Sequence, residues 1–138
     1  MTDDGEHVGA ELTGANAPIS TYTTDEIVVL EPTASVRRAA ELIDAASVGC
    51  IVIGSHEAVE GVITERDIVR VVALGLDPDA TTVADIETRA LKWCPPDATV
   101  GDVAEEMMEE YVRHVLVGDA GALVGIVSMR DVITADLS

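Results

Sequence analysis

Apolar residues in this chain switch between helical and strand spacing, and the order of the switches occurs twice. Val36, Ala39, Ala40 and Ile43 fall at i, i+3, i+4 and i+7, one face of a helix, with Ser35 placed to cap it. Cys50-Ile51-Val52-Ile53 is an unbroken apolar run between Gly49 and a Gly54-Ser55-His56-Glu57 turn, which predicts a buried strand. Residues 59–63 predict a second strand, and residues 67–74 a helix stopped by Gly75 and Pro78. Upstream, residues 27–30 form a short extended segment ending at Pro32. In the second half, Thr99 caps a helix whose inner face is Val100, Val103, Ala104, Met107, Met108 and Tyr111. Strands are predicted over 114–117 and 123–127, with an Asp119-Ala120-Gly121 turn between them, and a closing helix from Asp131 to about Leu137. Residues 77–89 are polar and turn-rich, with a helical turn over 82–86.

The repetition is literal at one place. Gly61-Val62-Ile63-Thr64-Glu65-Arg66-Asp67 recurs as Gly125-Ile126-Val127-Ser128-Met129-Arg130-Asp131, an offset of 64 residues (Gly61 to Gly125). The same offset aligns Pro32 with Pro96, Val36 with Val100, Gly54 with Gly118 and Ala58 with Ala122, without a gap. Two copies are too few for a solenoid, which needs about three stacked units. The chain therefore divides into an acidic flexible tail over 1–18, one repeat over 19–80 and another over 81–138. A helix covers only one face of each small sheet. The expected fold class is α+β, with two β-α-β-β-α repeats packed about a pseudo-twofold axis.

Charge narrows the function. With 26 acidic and 8 basic residues the net charge is −18, and Lys92 is the only lysine. Nucleic-acid binding needs the opposite balance, so neither DNA nor RNA is expected as a partner. Such acidity suits a salt-rich cytoplasm, where a Debye length near ~3 Å at molar salt hides self-repulsion. No apolar run approaches the roughly 18 residues of a membrane helix, and the acidic start, Met1 to Glu6, does not resemble a signal peptide. A cytoplasmic protein is expected, without a membrane partner. Cys50 and Cys94 form no CxxC pair, and His7, His56 and His114 do not cluster, so no metal site is expected. No nucleophile–base–acid set is present, and no catalytic residue is assigned.

The repeated motif has two readings. Thr64-x-x-Asp67 and Ser128-x-x-Asp131 fit a capping box, which accounts for the hydroxyl and the acid. It leaves the preceding Gly61 and Gly125, and Arg66 and Arg130, unexplained. A strand running straight into a helix exposes donors and a dipole that attract anions. Arg66 and Arg130 suit phosphate, and Asp67 and Asp131 suit vicinal hydroxyls such as those of ribose. Together these groups suit a nucleotide.

On these residues, with Gly75-Leu76-Asp77-Pro78 and Arg113-His114-Val115-Leu116-Val117, about four-fifths of the chain resembles a tandem pair of CBS domains, a Bateman module of the small stand-alone prokaryotic type. The resemblance implies clefts between the copies for AMP, ADP, ATP or S-adenosylmethionine. It implies that Asp67 and Asp131 hold ribose hydroxyls, with Thr64 and Ser128 near phosphate or ribose. It also implies a base pocket around Leu30 and Cys94, with His114 and Val115 nearby, and a homodimer. Many relatives carry Thr where this chain has Val29 and Trp93, and Pro where it has Leu116. The expected function is a regulatory sensor that needs no cofactor, binds an adenosine-containing ligand and signals to a separate, unidentified protein partner. The alternative is a non-sensing dimerisation or interaction module with degenerate pockets.

Overall fold

The structure, a computed structural model, describes residues 14–23, 26–119 and 122–136. The chain forms two compact units. The first, residues 26–91, contains β1 (Val29–Leu30), α1 (Val36–Ala46), β2 (Cys50–Gly54), β3 (Val59–Thr64), α2 (Glu65–Ala73) and a short α3 (Val83–Ile86). The second contains β4 (Trp93–Cys94), α4 (Val100–Glu110), β5 (His114–Asp119), β6 (Ala122–Ser128) and α5 (Met129–Asp136). Each unit thus has the expected β-α-β-β-α order, and the class is α+β.

Each sheet has three strands, with β2 or β5 in the centre. The centre pairs in parallel with the short first strand and antiparallel with the third. A central strand is covered on both faces, which explains the unbroken apolar runs at 50–53 and 115–117. Both hairpins carry a register shift at the same place, between Ile53 and Gly54 and between Val117 and Gly118.

The first unit is built around Ala39, Ile51, Ile53, Ile63 and Val83, all 0% exposed. Each fully buried Ile or Val contributes roughly 1.5–3 kcal/mol, so these few side chains supply much of the cohesion. The second unit is built around Val100, Val103, Met107, Val115, Val117, Val127 and Val132. Ala17 and Ile19, at 0% exposed, join that second core. The tail expected over 1–18 thus ends in structured chain, with a 3-10 turn at Gly14–Asn16, while residues 1–13 lie outside the described residues. Residues 81–91, which the sequence offset groups with the second repeat, lie in the first unit.

One expected face needs correction. Met108 and Tyr111, expected on the inner face of α4, are 73% and 92% exposed. The core stripe of α4 is Val100, Val103 and Met107, and Met108 lies about 100° round the helix from Met107. Tyr111 caps the helix in the left-handed conformation (φ 57°), which turns its side chain away from that stripe. Ser47 closes α1 in the same way, at φ 55°.

After α3 the chain returns to the edge of β3. Val62 donates to the Thr88 carbonyl at 3.0 Å, and Thr88 donates back to Val62 at 2.8 Å. This folds the Glu87 side chain over Gly61, where a β-carbon would lie 2.5 Å from Glu87 Oε1. The Glu87 side chain is fully buried. Arg89 Nε donates to its Oε2 at 3.0 Å, while Oε1 has no partner among the described residues. Burial first, and then the Glu60 carboxyl, raise Glu87 above its ordinary value of 4.5, against the opposing pull of Arg89. A carboxyl with a raised folded-state pKa stabilises fully below its unfolded value, and that contribution is lost as pH rises through the folded one. Glu87→Gln should therefore flatten the pH dependence of urea unfolding above pH 4.5, whereas an unchanged slope would place the ionisation elsewhere.

Candidate functional site

The two repeated motifs lie where a strand becomes a helix with no intervening loop. β3 ends at Thr64 and α2 starts at Glu65; β6 ends at Ser128 and α5 starts at Met129. Each helix start is held in the same way. The Glu65 amide donates to the Gly49 carbonyl at 3.3 Å, and the Met129 amide to that of Arg113 at 2.8 Å. The Asp67 amide donates to Thr64 Oγ1 at 3.4 Å, and the Asp131 amide to Ser128 Oγ at 3.1 Å. The second amide of each helix, that of Arg66 or Arg130, is not taken by these bonds.

The carboxylates complete the caps. Asp67 Oδ2 accepts from the Thr64 amide at 2.9 Å and from its hydroxyl at 3.2 Å. Asp131 Oδ2 accepts from the Ser128 amide and hydroxyl, both at 2.9 Å. The capping reading of Thr/Ser-x-x-Asp is therefore realised twice. In both cases one oxygen, Oδ2, carries both bonds. Asp67 as a whole residue is buried, at 7% exposed.

Arg37 pairs with Asp79, Arg38 with Glu41, Arg89 with Glu60 and Glu87, and Lys92 with Glu110. The other four, Arg66, Arg70, Arg113 and Arg130, form no ion pair among the described residues. Arg66 and Arg130 are the second residues of α2 and α5, and both are exposed. Arg113 supplies the carbonyl that anchors α5. Of these four, Arg66 and Arg130 stand at the duplicated helix starts, while Arg70 lies in the last turn of α2.

The remaining candidates divide. His114 pairs with Ser128 across the β5–β6 ladder, at the second junction. Its counterpart in the first unit is Cys50, which pairs with Thr64. Sequence reading missed Cys50 and its neighbour Ile51, although the 64-residue offset maps them onto His114 and Val115. Val115 and Cys94 turn into the core of the second unit, and Leu30 packs against that of the first. Their side chains are committed to packing. Trp93 is half-buried and packs over Gly118, where a β-carbon would lie 2.8 Å from Cζ3.

Burial, with the Asp67 carboxylate beside it, pushes the Cys50 thiol up to about 12. Burial and then Glu106 push Cys94 up to about 11. Thiolate is the reactive form, so neither cysteine should react with iodoacetamide in the native protein at pH 8. Mass spectrometry should show alkylation at Cys50 and Cys94 only after unfolding; rapid native labelling would contradict the burial.

Two cavities occur within the second unit. One, about 200 Å³, is lined by Trp93, Cys94, Pro95, Ala98, Asp102, Val103 and Glu106. The other, about 230 Å³, is lined by Ser20, Thr23, Val117 and Val124. Neither touches the junctions. Among the described residues no three His, Cys, Asp or Glu side chains gather as a metal site, and no helix is long and apolar enough to cross a membrane.

Comparison with known proteins matches the geometry. The family model for the CBS domain matches residues 19–74 and again 83–138. A conserved protein of Pyrococcus horikoshii, known from its crystal structure, is 31% identical with a TM-score of 0.83, covering 91% of this chain and 96% of its own. A CBS domain protein of Pyrobaculum aerophilum, solved in complex with AMP, is 31% identical with a TM-score of 0.75, covering 83% and 88%. An arabinose 5-phosphate isomerase of Yersinia pestis is 32% identical over 115 residues, which is 83% of this chain and 35% of the isomerase. The chain thus spans about a third of that enzyme's length.

Proposed function

Because the chain belongs to the CBS-domain family and carries its unit twice, we propose that it is a regulatory module binding an adenosine-containing ligand at its two strand-to-helix junctions. Occupancy would bias one of two states and be read by a separate protein partner. A ligand acts in this way only through different affinity for the two states, with a coupling of about 1–3 kcal/mol.

The observation that carries the reading is the pairing, at each junction, of a one-sidedly bonded Asp with an exposed Arg outside any described ion pair. Asp67 and Asp131 would receive the ribose hydroxyls. Thr64, Ser128 and the helix amides would lie near phosphate or ribose, with Arg66 and Arg130 neutralising it. His114 and Cys50 would stand beside the sugar. Leu30, Cys94 and Val115 would contribute to the base pocket through main chain. The AMP held by the Pyrobaculum protein supports an adenine nucleotide over other ligand classes. S-adenosylmethionine shares the adenosine and is the competing ligand. No catalytic step is assigned, and self-association as a homodimer completes the proposal.

A second reading, a module that associates without sensing, is favoured by one observation. Both carboxylates already cap their helices, so the fold alone gives them a use. Thermal unfolding in molar potassium chloride separates the two. A ligand at a hundredfold its dissociation constant should stabilise by about 2.7 kcal/mol. Unmoved melting with AMP, ADP, ATP and S-adenosylmethionine would favour the non-sensing module.

A further inference from the structure

Two carboxyls and one cation fasten the chain to β3 where it returns after α3. β3 is the outer strand of its sheet, and the Val62–Thr88 bonds cover its open edge. Beside that bridge the Glu87 side chain is fully buried, its carboxyl carbon 2.8 Å from where a β-carbon of Gly61 would stand. Arg89 Nη2 lies 3.0 Å from Glu87 Oε2 and 3.9 Å from Glu60 Oε2. One guanidinium thus faces two carboxyls, and Glu87 Oε1 is buried without a partner among the described residues. Glu60 and Arg89 are the charged groups that act on Glu87. β2 pairs Ile53 with Gly61 and brings no charge, and Asp85 of α3 is bonded to the Thr82 amide at 3.3 Å.

We propose that Glu60 and Glu87 form a proton-operated fastener: with a proton on the pair, residues 87–91 are held to the edge of β3, and with both carboxylates charged they are released. Charge decides between the two states. Protonated, Glu87 brings no charge into its buried place, and Arg89 balances Glu60. Ionised, the pair sets two negative charges against one positive, with one carboxylate denied water. A buried charge without full pairing is costly, whereas the released segment is hydrated. Burial and Glu60 hold Glu87 above its ordinary value of 4.5, so the closed form binds the proton more tightly than the open one. The stabilisation of the closed form is therefore complete below pH 4.5 and is lost as pH rises through the raised value. Residues 87–91 lead from the first unit to Lys92, where the second begins, so opening adds free chain between the two units. Glu60, Glu87 and Arg89 lie outside the proposed ligand contacts, and neither state depends on the ligand reading.

The test is amide hydrogen exchange of the full chain, followed residue by residue from about pH 4 to about pH 8 and corrected for the intrinsic rate of each amide at each pH. Protection of the Val62 and Thr88 amides, which make the bridge, should fall above pH 4.5 by up to about tenfold per pH unit, the limit for one proton, and then level off. Amides of the β2–β3 ladder should keep their protection. Glu87→Gln keeps the shape of the side chain and cannot ionise, so it should hold both bridge amides level across the range. Arg89→Gln removes the balancing cation and should deepen the total fall. Bridge protection that ignores pH in the unsubstituted chain would overturn the proposal. So would an equal fall throughout the β2–β3 ladder, which marks unfolding of the whole unit, or an unchanged fall in both variants.

Discussion

Asp131→Ala should weaken ligand binding at the second junction and leave the first intact, and Asp67→Ala should do the reverse. Each substitution deletes the acceptor of two observed bonds, to the amide and hydroxyl of Ser128 or Thr64. The loss of a cap costs roughly 1–2 kcal/mol of folding free energy. The loss of hydroxyl contacts to a charged acceptor costs roughly another 1.5–3 kcal/mol of binding, or about ten- to a hundredfold in affinity. These effects separate in the Asn variants. Asn keeps an acceptor for the cap but lacks the charge, so Asp131→Asn should hold its stability to within about 0.5 kcal/mol and still bind about tenfold more weakly. Calorimetry with AMP and urea unfolding on the same samples measure both. Full binding by the Asn and Ala variants alike would reduce these aspartates to caps.

Gly54→Ala should cost about 3 kcal/mol or more, the largest expected effect of a single methyl group here. Gly54 sits at the hairpin bulge with φ +113°, and a β-carbon there would lie 2.4 Å from the Ala58 carbonyl oxygen. Gly118 is its equivalent, at 2.2 Å from the Ala122 carbonyl oxygen and under the Trp93 ring. At Gly54 the nearest atoms, from Ala58 and Glu60, are all main chain, which leaves no side chain to move aside. Gly75 supplies the control. It has φ +72° but nothing within 4 Å of the added carbon, so Gly75→Ala should cost only about 1 kcal/mol. Equal losses at Gly54 and Gly75 in chemical denaturation would show that conformation alone, and not the close approach, sets the requirement.

What the sequence discloses follows from the range of the interactions involved. Helix caps are local, so Ser35, Thr64 and Thr99 could be read three residues ahead of the amides they satisfy. Strand centres were legible because both faces of β2 and β5 are covered and the runs are unbroken. Longer-range uses were not. Gly61 looked like part of a ligand motif, yet its bare Cα makes room for Glu87, which returns from beyond α3. Val115 belonged to the resemblance as a pocket residue, but its strand face directs it into the core. The burial of Ala17 and Ile19 in the second unit depends on pairing with Ala98 and Val100, and nothing in the local composition of residues 14–19 signals it. At the candidate site the sequence named the hydroxyls, acids and arginines. It did not show that Cys50 stands where His114 does, because a thiol and an imidazole share no pattern apart from their place in the repeat.

The central claim is that each strand-to-helix junction seats the sugar of an adenosine-containing ligand. A crystal structure of this chain grown with AMP tests it most directly. The account predicts ribose hydroxyls within hydrogen-bond distance of Asp67 and Asp131, with phosphate toward Arg66 and Arg130. AMP bound elsewhere, with both carboxylates still joined only to Thr64 and Ser128, would contradict it.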